Sequence, residues 1–483
     1  MANLNKQSVR EEFDKIKASF EEQVKVGKVP SETAALFNAL ILLVGLILSI
    51  FMEKSTKKTS ANSSIPPSQT PVDETSGGNG KSDSGKDKDS DTPRVSAIGN
   101  TRTVEVVTLL PVVSCESCGH DLSTTPCECV QRRTLIDIVF EKTVEHVDGE
   151  IKKCPECQAI TKAQFPKNMP GPLQYGNGIK AYVIQLLVAQ MISLNRTVQM
   201  VASFIGQTIS ESTLLGYIMR LHLALADWEC QAKNELLRTK CVHTDETSLK
   251  VDKQNHWIHV YSAGDITLKL LHKKRGKEAV EEFGIIPLYG GVIVHDCWAS
   301  YLSYEHLEHG LCGSHLLREL QFAIDANGYR WAKNLHRLLR MACWMVSRSK
   351  GKCLTEVQYV KLVGLFEKII AAGELELPAI PERTDGKRGK IAKSDAHNLW
   401  ERLSKYQNAV LLFAKNPDVA FTNNRAERDL RMTKVKQKVS GCFRTEKYAQ
   451  AYCRISSYLQ TMNNKGVNPL VAVSWALSGK FDL

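Results

Sequence analysis

Cys241-Val242-His243-Thr244-Asp245-Glu246-Thr247 is a short, β-branched run that carries two adjacent acids. In a strand, alternate side chains face opposite ways, so His243, Asp245 and Thr247 share one face and Glu246 points to the other. Only one of the two acids can then enter a site on a given face, and Asp245 is the choice. A second run, Val292-Ile293-Val294-His295-Asp296-Cys297, follows Gly290-Gly291 and brings Asp296 out at a strand's carboxyl end, where open α/β sheets commonly hold their ligands. A third, Asn423-Asn424-Arg425-Ala426-Glu427-Arg428-Asp429-Leu430-Arg431, reads as helix up to Gly441, a plausible C-terminal stop. Three acids converging from separate elements suit a pair of divalent ions, because each ion takes one or two protein carboxylates and leaves room for phosphate and water.

Around Glu427 the third segment is strongly basic. Arg431, Lys434 and Lys438 follow at helical spacing and share one stripe with Glu427. By itself this is equally a solvated charged face. The net charge of +11 favours a polyanionic partner, with nucleic acid and anionic membrane as the competing explanations. At 483 residues, 43% of them hydrophobic, the chain holds roughly three domains at about 150 residues each.

The fourteen cysteines are organised. Cys115-Glu-Ser-Cys118 and Cys154-Pro-Glu-Cys157 form a CxxC…CxxC pair able to hold a structural Zn²⁺. The interval between them is long for a zinc ribbon but leaves room for an inserted hairpin, which the Val, Ile, Thr and Phe content of 130–147 predicts. No secretory signal precedes them, which argues against disulfides. Cys127 and Cys129, one residue apart, are left outside the zinc set. From Gly178 to about Arg238 the pattern is helical. A helix starts at Asn195-Arg196-Thr197, Ile205-Gly206-Gln207 breaks it, and Ser210 or Ser212 caps the next. This is compatible with helix-turn-helix DNA binding and equally with an ordinary helical pair. Only Arg220 makes the second helix basic, so base reading from it is weakly supported.

Several stretches resemble the IS66 family of bacterial insertion-sequence transposases, from about Ser55 to the C-terminus. The most specific is NNRAERDLRMTKVKQKVSGCFRT at 423–445 with SYLQT at 457–461. DET at 245–247, HDCWASY at 295–301, CGSHLLREL at 312–320 and SANSSIPPS at 60–68 are similar to that family as well. The resemblance implies an RNase H-like fold with a DDE triad falling on Asp245, Asp296 and Glu427, and cleavage and strand transfer at the ends of an insertion sequence with two Mg²⁺ (or Mn²⁺) ions. Arg431, Lys434, Lys438 and Arg444 would then neutralise backbone phosphates. Asn423 and Asn424 would orient the glutamate helix or touch the DNA backbone. Cys312-Gly-Ser-His315 shows metal-ligand spacing but only two ligands, so a structural or phosphate-orienting element is the preferred reading. His315 and Arg318 are second-tier site candidates because the resemblance covers this stretch. Implied partners are the terminal inverted repeats, target DNA, further copies of the chain in a synaptic complex, and accessory proteins of the same element.

The expected organisation is therefore multidomain α/β. It comprises an N-terminal helical region (1–53), a disordered linker (54–100), a zinc ribbon (101–170), a helical, helix-turn-helix-like DNA-binding region (171–238), an RNase H-like catalytic domain (239–445) with a helical insertion at about 312–420, and a C-terminal helical region (446–483). The N-terminus departs from the family. Residues 34–52, AALFNALILLVGLILSIFM, are long and apolar enough either to span a bilayer or to form a buried multimerising helix. The second is preferred, which places the chain in the bacterial cytoplasm or nucleoid, with membrane association through 34–52 as the alternative. Two other functions stay open: a catalytically inactive DNA-binding relic and a membrane-anchored interaction protein.

Overall fold

The computed structural model describes residues 6–63, 107–135, 142–380 and 392–480. It divides into two compact units, Met1–Ser90 with Glu229–Ser457, and Asp91–Trp228 with Tyr458–Leu483.

In the second unit, β1 (Ile151–Lys153) and β2 (Ile160–Lys162) form a small antiparallel hairpin whose turn is the Cys154–Cys157 knuckle. Cys154 N–H donates to Ala159 O at 2.8 Å and Gln158 N–H to Cys154 O at 3.0 Å, with Gln158 in the left-handed region. The expected hairpin in 130–147 is not found: 130–135 and 142–147 carry no strand, and 136–141 lie outside the described residues. The strands instead flank the knuckle, where the chain must reverse. The helical pair is built as its punctuation requires. Helix Leu194–Ile205 ends on Gly206 at φ +73°, and helix Glu211–Ala224 is capped by Ser210, whose Oγ accepts from Thr213 N. A positive φ at a helix end is cheap only for glycine, and the serine oxygen satisfies one orphan amide.

The first unit holds a five-stranded mixed sheet. Its strands are β3 (Cys241–Val251), β4 (Gln254–Ala263), β5 (Ile266–His272), β6 (Val292–His295) and β7 (Glu308–Leu311), in the order β5-β4-β3-β6-β7. The first three form an antiparallel meander, while β6 and β7 run parallel to β3. Asp252 and Lys253, both at positive φ, make the two-residue turn between β3 and β4, which matches the twist of a hairpin. Helix Asn424–Ser440 lies on the sheet, fixed by Asp429. That buried carboxylate accepts from Ser262 Oγ at 2.6 Å and Thr267 Oγ1 at 2.8 Å.

After β7 come the helices Gly313–Asn327, Arg330–Arg348, Glu356–Glu376, Asp395–Lys405 and Gln407–Lys415. They share a core built on Leu320, Trp331, Leu335, Phe366, Leu403 and Leu411. The helical insertion expected at about 312–420 opens with two helices divided at Gly328, with φ +68°. Within that insertion, residues 381–391 lie outside the described residues.

The N-terminal segment, expected as a separate region, packs within this same unit. Helix Ser31–Ser55 has a mean hydropathy of 2.6 in its most apolar window, long and apolar enough to cross a membrane by length and composition. One side is buried through Leu46, Leu48, Ser49, Met52 and Glu53, while Leu36, Leu40, Leu43, Ile47 and Phe51 are exposed. The buried side carries polar anchors. Ser49 Oγ is 3.2 Å from Tyr329 Oη, and the Glu53 carboxylate accepts from Asp395 N at 2.6 Å and Ala396 N at 2.9 Å. Glu53 thus caps the helix Asp395–Lys405 from a distant part of the chain. Glu53→Ala is expected to lower stability by about 2 kcal/mol, since it leaves two helix-end amides without that acceptor. Denaturant unfolding would show this as a lower midpoint at unchanged slope.

Candidate active site

The register of the sheet brings the two aspartates together. β3 and β6 pair in parallel with His243 opposite Val294. Asp245 lies two residues further along β3, and Asp296 follows directly on the end of β6 at His295. Cys297 then takes φ +70°, and its amide donates to His295 Nδ1 at 3.1 Å. A left-handed cysteine is uncommon and is held by its surroundings. It turns the chain away immediately after Asp296.

Alternation along β3 works as the sequence implies. His243 Nδ1 lies 3.0 Å from Asn423 Oδ1, at the start of helix Asn424–Ser440. Thr244 and Glu246 meet Tyr301. Thr244 Oγ1 donates to Tyr301 Oη at 3.0 Å, and that hydroxyl donates to Glu246 Oε2 at 3.2 Å. Buried Asn423 also donates to Thr244 O at 2.8 Å, tying the start of the glutamate helix to β3. It therefore orients that helix, as one of its two expected roles requires, whereas Asn424 is exposed.

Like charges accumulate here. Burial first, then the neighbouring charges of Glu246 and Asp296, push the Asp245 carboxyl well above its ordinary range; Glu427 adds to this, and the Glu246 amide opposes it. Glu246 is raised too, by burial and by Asp296, against the opposing pull of Arg275. Its side chain is only 1% exposed and accepts from Arg275 Nε at 2.9 Å. Arg275 lies over the rings of Trp257 and Trp298. Glu246 therefore faces away from Asp245 yet belongs to the same field, which alternation alone did not reveal. Asp296 Oδ1 is sealed from solvent without a hydrogen-bond partner. A buried carboxylate oxygen in that state is costly, and mutually repelling carboxylates around it are what a divalent cation would relieve. Among the described residues the three carboxylates do not form a group of metal-ligand dimensions, whereas Glu427 does so with Cys312 and His315.

This charge arrangement has a sign that can be measured. The folded-state value of Asp245 lies above its unfolded value of about 3.9, so its contribution to stability is full below that pH and is lost as pH rises through the raised value. Glu246 acts in the same direction. The metal-free protein is expected to lose stability as pH rises from about 4, and Asp245→Asn to flatten that loss. Mg²⁺ binds the ionised carboxylates, so its increment in Tm is expected to grow with pH over the same interval. Thermal unfolding with and without Mg²⁺ across this range checks both signs.

On the glutamate helix the expected cation stripe is partly engaged. Arg431, Lys438 and Arg444 are exposed, while Lys434 Nζ donates to Ser248 O at 3.0 Å and so helps hold the helix on β3. Gly441 ends the helix at φ +70°. Glu427 Oε1 lies 3.5 Å from His315 Nδ1 and 3.9 Å from Cys312 Sγ. His315 therefore reaches the site, whereas Arg318 Nε donates to Ser314 O in its own helix. Gly313 permits this packing, because a Cβ there would overlap the Phe421 ring. Cys312 is the member that sequence reasoning undervalued; the Cys-x-x-His spacing was the available signal.

The cysteine knuckles form separately. Backbone N–H groups of Cys118 and Ser117 lower the Cys115 thiol, and those of Cys157 and Glu156 lower Cys154, as ligand thiolates require. Among the described residues the four thiols do not converge into one cluster of metal-ligand dimensions. Each knuckle on its own offers a pair of ligands.

A family model described as Transposase IS66 family matches residues 172–451, more than half of the chain and the whole span from Asp245 to Arg444. At the level of class, the protein is a transposase. The chain belongs to the IS66 transposase family. No curated protein matches it.

Proposed function

We propose that this chain cuts and joins DNA at the ends of its own mobile element, with Asp245, Asp296 and Glu427 as the ligands of two Mg²⁺ or Mn²⁺ ions. One observation carries the reading. One aspartate lies on β3 and another just past the end of the parallel strand β6, the second with a buried, partnerless oxygen. They lie close enough for their charges to interact, and a glutamate from a sheet-packed helix adds its charge to theirs. The sheet, an antiparallel meander continued by two parallel strands, supports an RNase H-like core with the five helices after β7 as its insertion.

Bound there, the divalent ions would lower the pKa of an attacking water or 3′-hydroxyl and offset charge on the leaving oxygen. The chain's own groups do the remainder. Asn423 holds the glutamate helix against β3, and Arg275 opposes the rise that burial imposes on Glu246 and holds it turned aside. Tyr301 fixes the even face of β3. Arg431, Lys438 and Arg444 lie free to neutralise phosphates, a contribution to affinity rather than to sequence reading. Lys434 would do so only after leaving Ser248. The cysteine knuckles, taken as a zinc ribbon, and the helices over 177–238 are the candidates for recognising the inverted repeats. Joining two ends calls for a multimer, and accessory proteins of the element would act beside it.

The proposed location is the cytoplasm or nucleoid. Ser49 and Glu53 in helix Ser31–Ser55 use their polar atoms on protein partners, which a bilayer would deny them. Membrane association through 34–52 is the alternative.

Full-length protein incubated with Mg²⁺ and a duplex carrying the element's end is expected to produce a new 3′-hydroxyl at the element boundary. A chain that retains the duplex in a gel shift but leaves both strands whole is a DNA-binding protein without this chemistry.

A further inference from the structure

Beside the three carboxylates lies a second constellation of different chemistry. Cys312 precedes the fifteen-residue helix Gly313–Asn327 as its N-cap, and His315 is in that helix's first turn. An N-cap side chain and the third residue of the helix stand close together, the geometry that capping boxes use. Glu427 approaches from the opposite side on helix Asn424–Ser440. The Cys312 sulfur, the His315 imidazole nitrogen and a Glu427 oxygen all lie within 4.8 Å of one another, with Nδ1 3.5 Å and Sγ 3.9 Å from Oε1. Ligands at about 2.0–2.3 Å from a tetrahedral metal stand roughly 3.3–3.7 Å apart, so the trio needs only slight contraction. His315 Nδ1 is sealed from solvent, and its imidazole interacts with the Cys312 thiol and the Glu427 carboxylate. The Cys312 sulfur is buried, accepts from Asn423 N at 3.1 Å and lies 3.0 Å from Ser314 Oγ. Outer hydrogen bonds of this kind orient a ligating thiolate.

We infer that Cys312, His315 and Glu427 form a binding site for one thiophilic divalent cation of the Zn²⁺ class. A sulfur–nitrogen–carboxylate set selects such an ion over Mg²⁺, which takes oxygen ligands. Three protein ligands leave a fourth position for water. Because Glu427 is shared, an ion held here withdraws that carboxylate from Asp245 and Asp296, so Zn²⁺ opposes Mg²⁺-dependent chemistry. This consequence rests on the proposed role of Glu427; the binding itself does not.

Co²⁺ titration of the full-length chain tests the binding directly. The CxxC pairs contribute equally to wild type and Cys312→Ser and cancel in the difference. Wild type is expected to take up one more Co²⁺ than Cys312→Ser, with a difference spectrum carrying the near-ultraviolet thiolate-to-cobalt band of a single sulfur. His315→Ala and Glu427→Gln are expected to weaken that band's half-saturation at least about tenfold. Equal stoichiometry and superimposable spectra for wild type and Cys312→Ser, both folded by circular dichroism, would overturn the inference. Should Cys312→Ser not fold, the same comparison with His315→Ala decides it. Cleavage assays separate the two claims: the cobalt band in a chain that never cuts DNA leaves this site standing and removes only the proposed role of Glu427 in cleavage.

Discussion

Replacing Asp296 with asparagine is expected to lower Mg²⁺-dependent strand cleavage by about a thousandfold or more. Its Oδ1 is sealed from solvent and has no hydrogen-bond partner. An amide keeps the shape of the side chain but removes the charge, and with it most of the attraction for a divalent ion. Losing several kcal/mol of metal-derived stabilisation, at about 1.4 kcal/mol per tenfold, corresponds to at least three orders of magnitude in rate. The fold is expected to survive, because Asp296 contributes like-charge repulsion to Asp245 and Glu246, and the substitution relieves it. Single-turnover cleavage together with thermal unfolding of the metal-free protein separates these effects. A variant that cuts at the wild-type rate would exclude Asp296 as a ligand.

The second large effect concerns the anchor of the glutamate helix. Asp429→Ala is expected to cost about 3 kcal/mol or more, a reduction of over a hundredfold in the folding constant. The substitution leaves the hydroxyls of Ser262 and Thr267 without their shared acceptor. It also removes the larger of the negative influences on Lys269, a buried lysine pushed down to about 8 by burial and held up in part by Asp429. Asp429→Asn keeps one acceptor oxygen and is expected to fall between wild type and alanine. Denaturant unfolding checks the order. If all three proteins unfold together, the helix is held by its apolar face alone.

Much of this site was legible because it depends on local periodicity. Strict alternation placed Asp245 and Glu246 on opposite faces, and Gly290-Gly291 before an apolar run placed Asp296 at a strand end. Gly206, Ser210 and Gly441 act as the helix punctuation they resemble. What was not legible depends on partners distant in the chain. Lys434 sits on the basic stripe, but Ser248, far back in sequence, takes its ammonium group. Glu246 was set aside by alternation, and only Arg275 and Tyr301 show how it is kept. The long apolar helix gives no sign in its own sequence that Glu53 caps a helix starting at Asp395. The expected hairpin in 130–147 came from β-propensity alone, which packing overrides. The Cys-x-x-His pair was noticed, but its third ligand comes from the glutamate helix, and no spacing rule joins 315 to 427.

The most direct measurement is strand cleavage of a labelled duplex carrying the element's end, with Mg²⁺ or Mn²⁺. Wild type is compared there with Asp245→Ala, Asp296→Ala and Glu427→Ala. The account predicts cutting by wild type that chelation abolishes and that none of the three variants supports. Equal cutting by all four proteins would contradict it.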